Sequence, residues 1–227
     1  MWLIYQFNRG DRWDAHRRAL WLQEFAGRCL TSIGVEVEAE GEPEEGQFIV
    51  SNHLGYVDII VMASQTPQVF LSNHSVANWP IIGYFVKKAG TLFIDRGRRK
   101  EVAEQDAGFA AAIEQGVGMT VYLEGTSTDG AEILPFKSSL LQPVVRNGWS
   151  VTPAYLKYEC EGGDPATEIC WWGDMTFGPH FLNLLGLKRV KASLIYGASR
   201  EPGNDRKALA LEMRDEVLRL RAAVERS

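Results

Sequence analysis

The stretch FIVSNHLGYVDIIVMASQTPQVFL, residues 48–71, decides how the rest of the chain is read. Phe48 to Ser51 is a short apolar run of strand length, Val57 to Ser64 carries a helical pattern, and Val69 to Leu71 is apolar again. The alternation continues outward. Further strands are expected at Val35 to Ala39, Thr91 to Ile94, Met119 to Leu123, Val151 to Lys157, Glu168 to Trp171 and Val190 to Tyr196. Helices are expected at Asp14 to Ile33, Ile81 to Lys88, Lys100 to Gln115, Phe136 to Asn147 and Asn204 to Ala223, the last with Asn204 as its N-cap. Strands alternating with helices give an α/β fold: a single layered domain with a largely parallel central sheet flanked by helices. In such sheets the chemistry sits in loops beyond the carboxyl ends of the strands.

The whole chain has 227 residues, of which 45% are apolar and 23% charged, with a net charge of -5. A chain of this size buries roughly 70% of the surface its unfolded form exposes, so it needs neither disulfide nor metal to hold a core. The composition excludes disordered, collagen-like and repeat architectures, and the acidic balance argues against nucleic acid as a partner. Cys29, Cys160 and Cys170 have no metal-binding spacing and read as core residues of a protein from a reducing compartment. No apolar run approaches the roughly 20 residues that span a bilayer, and the apolar start, Met1 to Tyr5, is interrupted at once by polar residues. The Asp14 to Ile33 helix sets Leu22, Phe25, Ala26, Cys29 and Ile33 against Arg17, Arg18, Glu24, Arg28 and Thr31. With Trp13 and Trp21 beside Arg12, Arg17 and Arg18, it suits a lipid headgroup layer as well as it suits packing on its own sheet.

Two local features carry chemistry. After the Phe48 strand, His53 precedes Asp58 by five positions; on a helix that is roughly 140° apart, so the side chains meet only if the chain turns, which Gly55 permits. An aspartate bonded to one ring nitrogen leaves the other to take a proton from a substrate hydroxyl. The second feature lies between Lys87 and Lys100, where Lys87, Lys88, Arg96, Arg98, Arg99 and Lys100 face a single acid, Asp95. This patch of +5, in a chain whose six glutamates between 36 and 45 form a solvated edge, can attract phosphate or anionic lipid.

With these blocks, and two more downstream, the chain resembles the glycerolipid acyltransferases typified by the bacterial 1-acylglycerol-3-phosphate acyltransferases. The resemblance runs from about Arg17 to Tyr196. Asn52-His53 with Asp58 is similar to the family's first block, which carries a His/Asp catalytic dyad. Gly90 to Arg96 is similar to the second, and implies that Arg96 binds the acceptor's phosphate. Glu124-Gly125-Thr126 is similar to the third, which lines the acceptor site, and Val151-Thr152-Pro153-Ala154 to the fourth, in which Pro153 would shape the acyl site. Trp79-Pro80 with Gly83, and Leu134 to Lys137, also read as this family does, with Lys137 a second phosphate ligand. Two departures stand out: Gly55 replaces a frequent serine, and Ser127 replaces the arginine of the third block. The continuation Thr128-Asp129-Gly130, with Trp171 to Met175, looks more like the lyso-ornithine lipid acyltransferase branch.

The resemblance implies an O-acyltransferase moving a fatty acyl group from acyl-CoA or acyl-carrier protein to a lysolipid, 1-acylglycerol-3-phosphate first and lyso-ornithine lipid as the alternative. No nucleophile motif such as Gly-x-Ser-x-Gly occurs, so the acceptor is expected to attack directly. Backbone N–H groups near Gly125 and Thr126 are candidate oxyanion donors. No bound cofactor and no metal are expected, and the place of work is the cytoplasmic face of the membrane, held peripherally at the membrane surface. Residues 1–34 then form an N-terminal amphipathic helix that is a candidate for membrane contact, and 35–227 the acyltransferase domain. Competing classes are a non-catalytic lipid-binding module and a thioesterase or lipid hydrolase.

Overall fold

The computed structural model describes residues 13–44, 46–79, 82–94 and 101–226. Asp14 opens the first helix of the described residues, α1 (Ala15–Ser32), by accepting a hydrogen bond from the Arg17 amide at 2.8 Å. There follow β1 (Val35–Glu40), β2 (Phe48–Ser51), α2 (Tyr56–Gln65), β3 (Gln68–Asn73), α3 (Ile82–Lys88), β4 (Leu92–Ile94), α4 (Glu101–Glu114) and β5 (Gly118–Val121). The second half contains α5 (Gln142–Asn147), β6 (Val151–Cys160), α6 (Pro165–Glu168), α7 (Phe177–Gly186), β7 (Val190–Tyr196) and α8 (Arg206–Val224).

The strands form one seven-stranded sheet in the order β1-β7-β6-β2-β5-β3-β4. Every neighbouring pair is parallel except β6 and β7, so β7 and β1 run against the other five. β2 lies between β6 and β5, and all four of its residues are buried, as expected of a strand covered on both faces. Its alternation feeds two cores. Ile49 joins Val57 and Val61 of α2, Ala26 and Leu30 of α1 and Leu184 of α7; Phe48 and Val50 join Phe109 of α4, Val144 of α5 and Met213 of α8. Each large side chain buried in this way contributes about 1.5–3 kcal/mol. Because β2, β5 and β6 are parallel, the loops after β2 and β5 leave the sheet side by side.

The helix α1 packs on this body through Ala19, Trp21, Ala26 and Leu30, all buried, while Arg17, Leu20, Glu24 and Arg28 stay exposed. No helix among the described residues is long and apolar enough to cross a membrane. Met1 to Arg12, Pro80 and most of the basic patch, including Arg96, Arg98, Arg99 and Lys100, lie outside the described residues. Within the patch, Lys88 is buried, its ammonium 5.5 Å and 5.2 Å from the ring centroids of Trp13 and Trp21, so it is a packing cation rather than a surface one.

Three expectations are corrected. Glu168 to Trp171 is not a strand: α6 ends at Glu168, and the Cys170 and Trp171 amides bond to the Pro165 and Leu54 carbonyls instead of a ladder. The helix expected from Phe136 begins only at Gln142, after a 3-10 turn over Ser138–Leu141, because the Lys137 amide is bonded to the Leu123 carbonyl at 2.8 Å. The N-cap of α8 is Asp205, which accepts from the Lys207 and Ala208 amides, and not Asn204. The sequence pattern assigns no element to the stretch that forms α7; its Pro179 lies in the first turn, where N–H groups have no intrahelical partner and proline is tolerated.

Candidate active site

The site begins where β2 stops. The Asn52 amide donates to the Leu156 carbonyl at 2.9 Å, and its oxygen accepts from the Leu156 N–H at 2.8 Å. A side chain thus continues the ladder between β2 and β6, and the main chain is free to turn away at His53. Asp58, the third residue of α2, reaches back over the helix N-terminus. Its Oδ2 accepts from the Leu54 N–H at 2.6 Å, the Gly55 N–H at 2.9 Å and His53 Nδ1 at 2.8 Å. Its Oδ1 accepts from the Tyr158 hydroxyl at 2.9 Å. Asp58 is fully buried, and these four donors satisfy it.

A carboxylate only accepts, so the proton between the two side chains belongs to His53 Nδ1, and in the neutral ring Nε2 carries the lone pair. The Tyr122 ring fixes the imidazole plane by stacking on it at 4.1 Å and 13°. The His53 side chain remains 21% exposed, enough for a substrate to reach it. This arrangement can orient a general base.

The loop after β5 supports it. Glu124 is buried, and its two oxygens accept from the His53 N–H and the Leu134 N–H, each at 2.8 Å. It is a strut between the two loops. Burial raises its carboxyl above the usual glutamate value, although the two amide hydrogen bonds oppose the rise. Gly125, at φ +72°, lies under Lys137 so closely that a β-carbon there would come within 2.5 Å of Nζ, and its own N–H is taken by the Tyr122 carbonyl at 3.1 Å. Thr126 and Lys137 are exposed beside it.

The structure therefore brings together His53, Asp58 and Glu124, with Gly125, Thr126 and Lys137 next to them. It does not bring Pro153 to the dyad: the proline ring packs against Gly197, where a β-carbon would be 2.9 Å from Cγ and 3.4 Å from Leu220 of α8. Tyr158, five residues on, faces the opposite core with Asp58. Arg96 lies outside the described residues.

Sequence reasoning missed three contributors. Tyr158 and Tyr122 gave no local signal, being brought in by β6 and β5. The third is Trp171, whose backbone straps the dyad loop: its N–H donates to the Leu54 carbonyl at 2.8 Å, and its carbonyl accepts from the Ser127 hydroxyl at 2.6 Å. Beside the strap, His180 accepts from the Tyr56 hydroxyl at 2.9 Å and donates from Nε2 to the Cys170 carbonyl at 3.1 Å; burial lowers its pKa and keeps it a neutral packing group. Burial first, and Asp58's charge second, push the Cys170 thiol up to about 12, which leaves no thiolate nucleophile there.

A family model described as Acyltransferase matches residues 33–157. The chain is 32% identical over 170 residues to a lyso-ornithine lipid O-acyltransferase of Rhodobacter capsulatus, a match covering 73% of this chain and 61% of the relative's length. It is 29% identical over 216 residues to a lyso-ornithine lipid O-acyltransferase of Brucella abortus, covering 86% of this chain and 80% of that protein. To a 1-acyl-sn-glycerol-3-phosphate acyltransferase of Neisseria gonorrhoeae it is 24% identical over 188 residues, covering 82% and 73%. The crystal structure of the 1-acyl-sn-glycerophosphate acyltransferase PlsC from Thermotoga maritima shares the fold, with a TM-score of 0.68 at 18% identity over 91% of this chain and 79% of that one.

Proposed function

Since the chain belongs to the acyltransferase family, its residues 33–157 matching that family's model, we propose that it transfers a fatty acyl group from a thioester, acyl-CoA or acyl-carrier protein, to the hydroxyl of a lysolipid. The observation that carries this reading is the dyad itself: His53 Nδ1 held 2.8 Å from the buried Asp58 carboxylate, with the ring still partly exposed. The acceptor hydroxyl gives its proton to His53 Nε2 as its oxygen attacks the thioester carbonyl. Asp58 stabilises the imidazolium that forms. When the tetrahedral intermediate collapses, the carbon–sulfur bond breaks and the same proton passes to the leaving thiolate, so that ester and free thiol are released. General-base help of this kind is worth about 10² to 10⁴ in rate. Thiols whose pKa is raised at Cys29, Cys160 and Cys170 support direct attack over a covalent acyl-enzyme.

For the acceptor, two observations favour lyso-ornithine lipid. Ser127, which stands where an arginine is common, has its hydroxyl turned to the Trp171 carbonyl, and the relatives of that name are 26% to 32% identical against 24% for the glycerophosphate enzyme. One observation favours 1-acylglycerol-3-phosphate: the Lys137 ammonium lies directly over Gly125 of the third block, where it can meet a phosphate. Arg96 would be a second phosphate ligand, and Pro153 a support of the acyl site from the far face of β6. Peripheral attachment to the cytoplasmic face of a membrane is supported by Leu20 of α1 and Tyr84 of α3, exposed at 44% and 46% close to exposed Arg17 and Lys87.

The test is thiol release from acyl-CoA in the presence of lyso-ornithine lipid, 1-acylglycerol-3-phosphate or lysophosphatidylethanolamine. Acceptor-dependent release, abolished in His53→Ala with the circular dichroism spectrum unchanged, is the expected result. Release that ignores the acceptor would make the protein a thioesterase, and near-normal turnover in His53→Ala would remove the mechanism.

A further inference from the structure

Asp58 is bonded from two sides, and only one of them is local in sequence. Oδ2 serves the loop and His53; Oδ1 serves Tyr158, which stands 100 residues away on β6, both groups being buried. Burial and the neighbouring Asp58 charge hold the Tyr158 hydroxyl protonated far beyond neutral pH, so it is a permanent donor. A second phenol lies in the same pocket. Tyr122 is buried and feels the charge of Asp58, yet its hydroxyl has no hydrogen-bond partner among the described residues. Two buried tyrosines thus lie beside one carboxylate in different roles: the Tyr122 ring stacks on His53, while the Tyr158 hydroxyl bonds Asp58.

We propose that Tyr158 is a positioning residue of the catalytic dyad: by donating to Asp58 Oδ1 it fixes the carboxylate plane and draws off part of the negative charge that would otherwise bear on His53. The inference rests on the dyad being the site of catalysis, as proposed above. A carboxylate with four donors holds an imidazolium less strongly than one with three, so Tyr158 keeps His53 from being trapped as the cation. Among the described residues, the other titratable groups facing this centre are Glu124 and Tyr122 from the loop after β5, Cys170 from the strap and Tyr196 from β7, with Asp129, Asp164 and Cys160 acting on Cys170.

The experiment compares wild type, Tyr158→Phe and Tyr122→Phe by NMR titration of the imidazole nitrogens without substrate, the His53 signal being assigned with His53→Ala. In Tyr158→Phe the midpoint of the His53 titration is expected to move to higher pH by roughly half a unit to one unit. In Tyr122→Phe it is expected to stay. With an accepted lysolipid, kcat of Tyr158→Phe should fall about tenfold at neutral pH with KM little changed, and recover part of the loss as pH is raised. An unmoved His53 titration in a folded Tyr158→Phe, or an equal shift in both variants, would overturn the proposal. Should Tyr158→Phe fail to fold, loss of a single buried hydroxyl will have unmade the structure, Tyr158 is then a packing residue, and the proposal is overturned. Because the titration needs no substrate, its outcome is separate from whether any lysolipid is acylated.

Discussion

Replacing Gly55 by serine, the residue frequent at this place in similar chains, is expected to harm this protein. A β-carbon on Gly55 would stand 2.8 Å from the Trp171 nitrogen and 3.1 Å from its Cβ. Ordinary contact between such atoms is about 3.5 Å or more, so the strap must retreat by roughly half an ångström. The retreat strains two hydrogen bonds, Trp171 N–H to the Leu54 carbonyl at 2.8 Å and Ser127 Oγ to the Trp171 carbonyl at 2.6 Å. At about 1 kcal/mol each, their loss amounts to about 2 kcal/mol, or a fall in Tm of about 4–8 °C for a domain of this size. Leu54 and Gly55 also give their amides to Asp58, so a displaced loop misaims His53, the proposed base, and kcat should drop about tenfold or more. Thermal melts by circular dichroism, paired with thiol release, measure both. Ser127→Ala alone should lower Tm by about 2–4 °C, and the double variant by less than the sum, because the two changes act on one strap. A Gly55→Ser protein melting within about 1 °C of wild type with full kcat would refute the strap.

Asp58→Asn keeps the shape of the side chain but removes the charge that stabilises imidazolium, and its amide must face a donor; kcat is expected to fall by about 10² to 10⁴ in steady-state assays while the chain stays folded. A loss of less than about threefold would mean that Asp58 only caps α2. Glu124→Gln tests the strut. Since burial raises the Glu124 carboxyl in the folded protein, the folded state binds its proton more tightly than the unfolded one. Its contribution is therefore full below the ordinary glutamate value and is lost as pH rises through the raised one. Melting temperatures of wild type and Glu124→Gln, measured from pH 4 to 7, should show wild type gaining on the variant toward acid; a constant gap would contradict the direction of the shift.

What could be read from the sequence was whatever depends on near neighbours. Phe48 to Ser51 and the helix after it stand out by period, and the His53–Asp58 contact closes within one turn and one helix end, so the dyad is visible in a run of six residues. What depends on the sheet was hidden. Tyr158 reaches Asp58 only because β6 lies beside β2 in register, and nothing near residue 158 signals it. Glu124 reads as an acceptor ligand by type; its backbone partners at His53 and Leu134 are set by how two loops meet. Ile169 to Trp171 is apolar enough for a strand, yet the segment lies across the loop instead of joining the sheet, a choice that short apolar runs leave undetermined.

Asn52 bears on how the His53–Asp58 pair could be moved to another scaffold. Its amide stands in for a peptide group, presenting one donor and one acceptor to Leu156 at the spacing that the next residue of β2 would have offered. Grafting His53 and Asp58 alone would leave a neighbouring strand with an unpaired N–H and C=O in the interior, a defect worth about 1–3 kcal/mol for each group. A designer would need to carry the asparagine and a parallel strand on that side along with the dyad. Aspartate at position 52 could accept but not donate, and leucine could do neither, so the position is confined by the architecture of the sheet before any substrate binds.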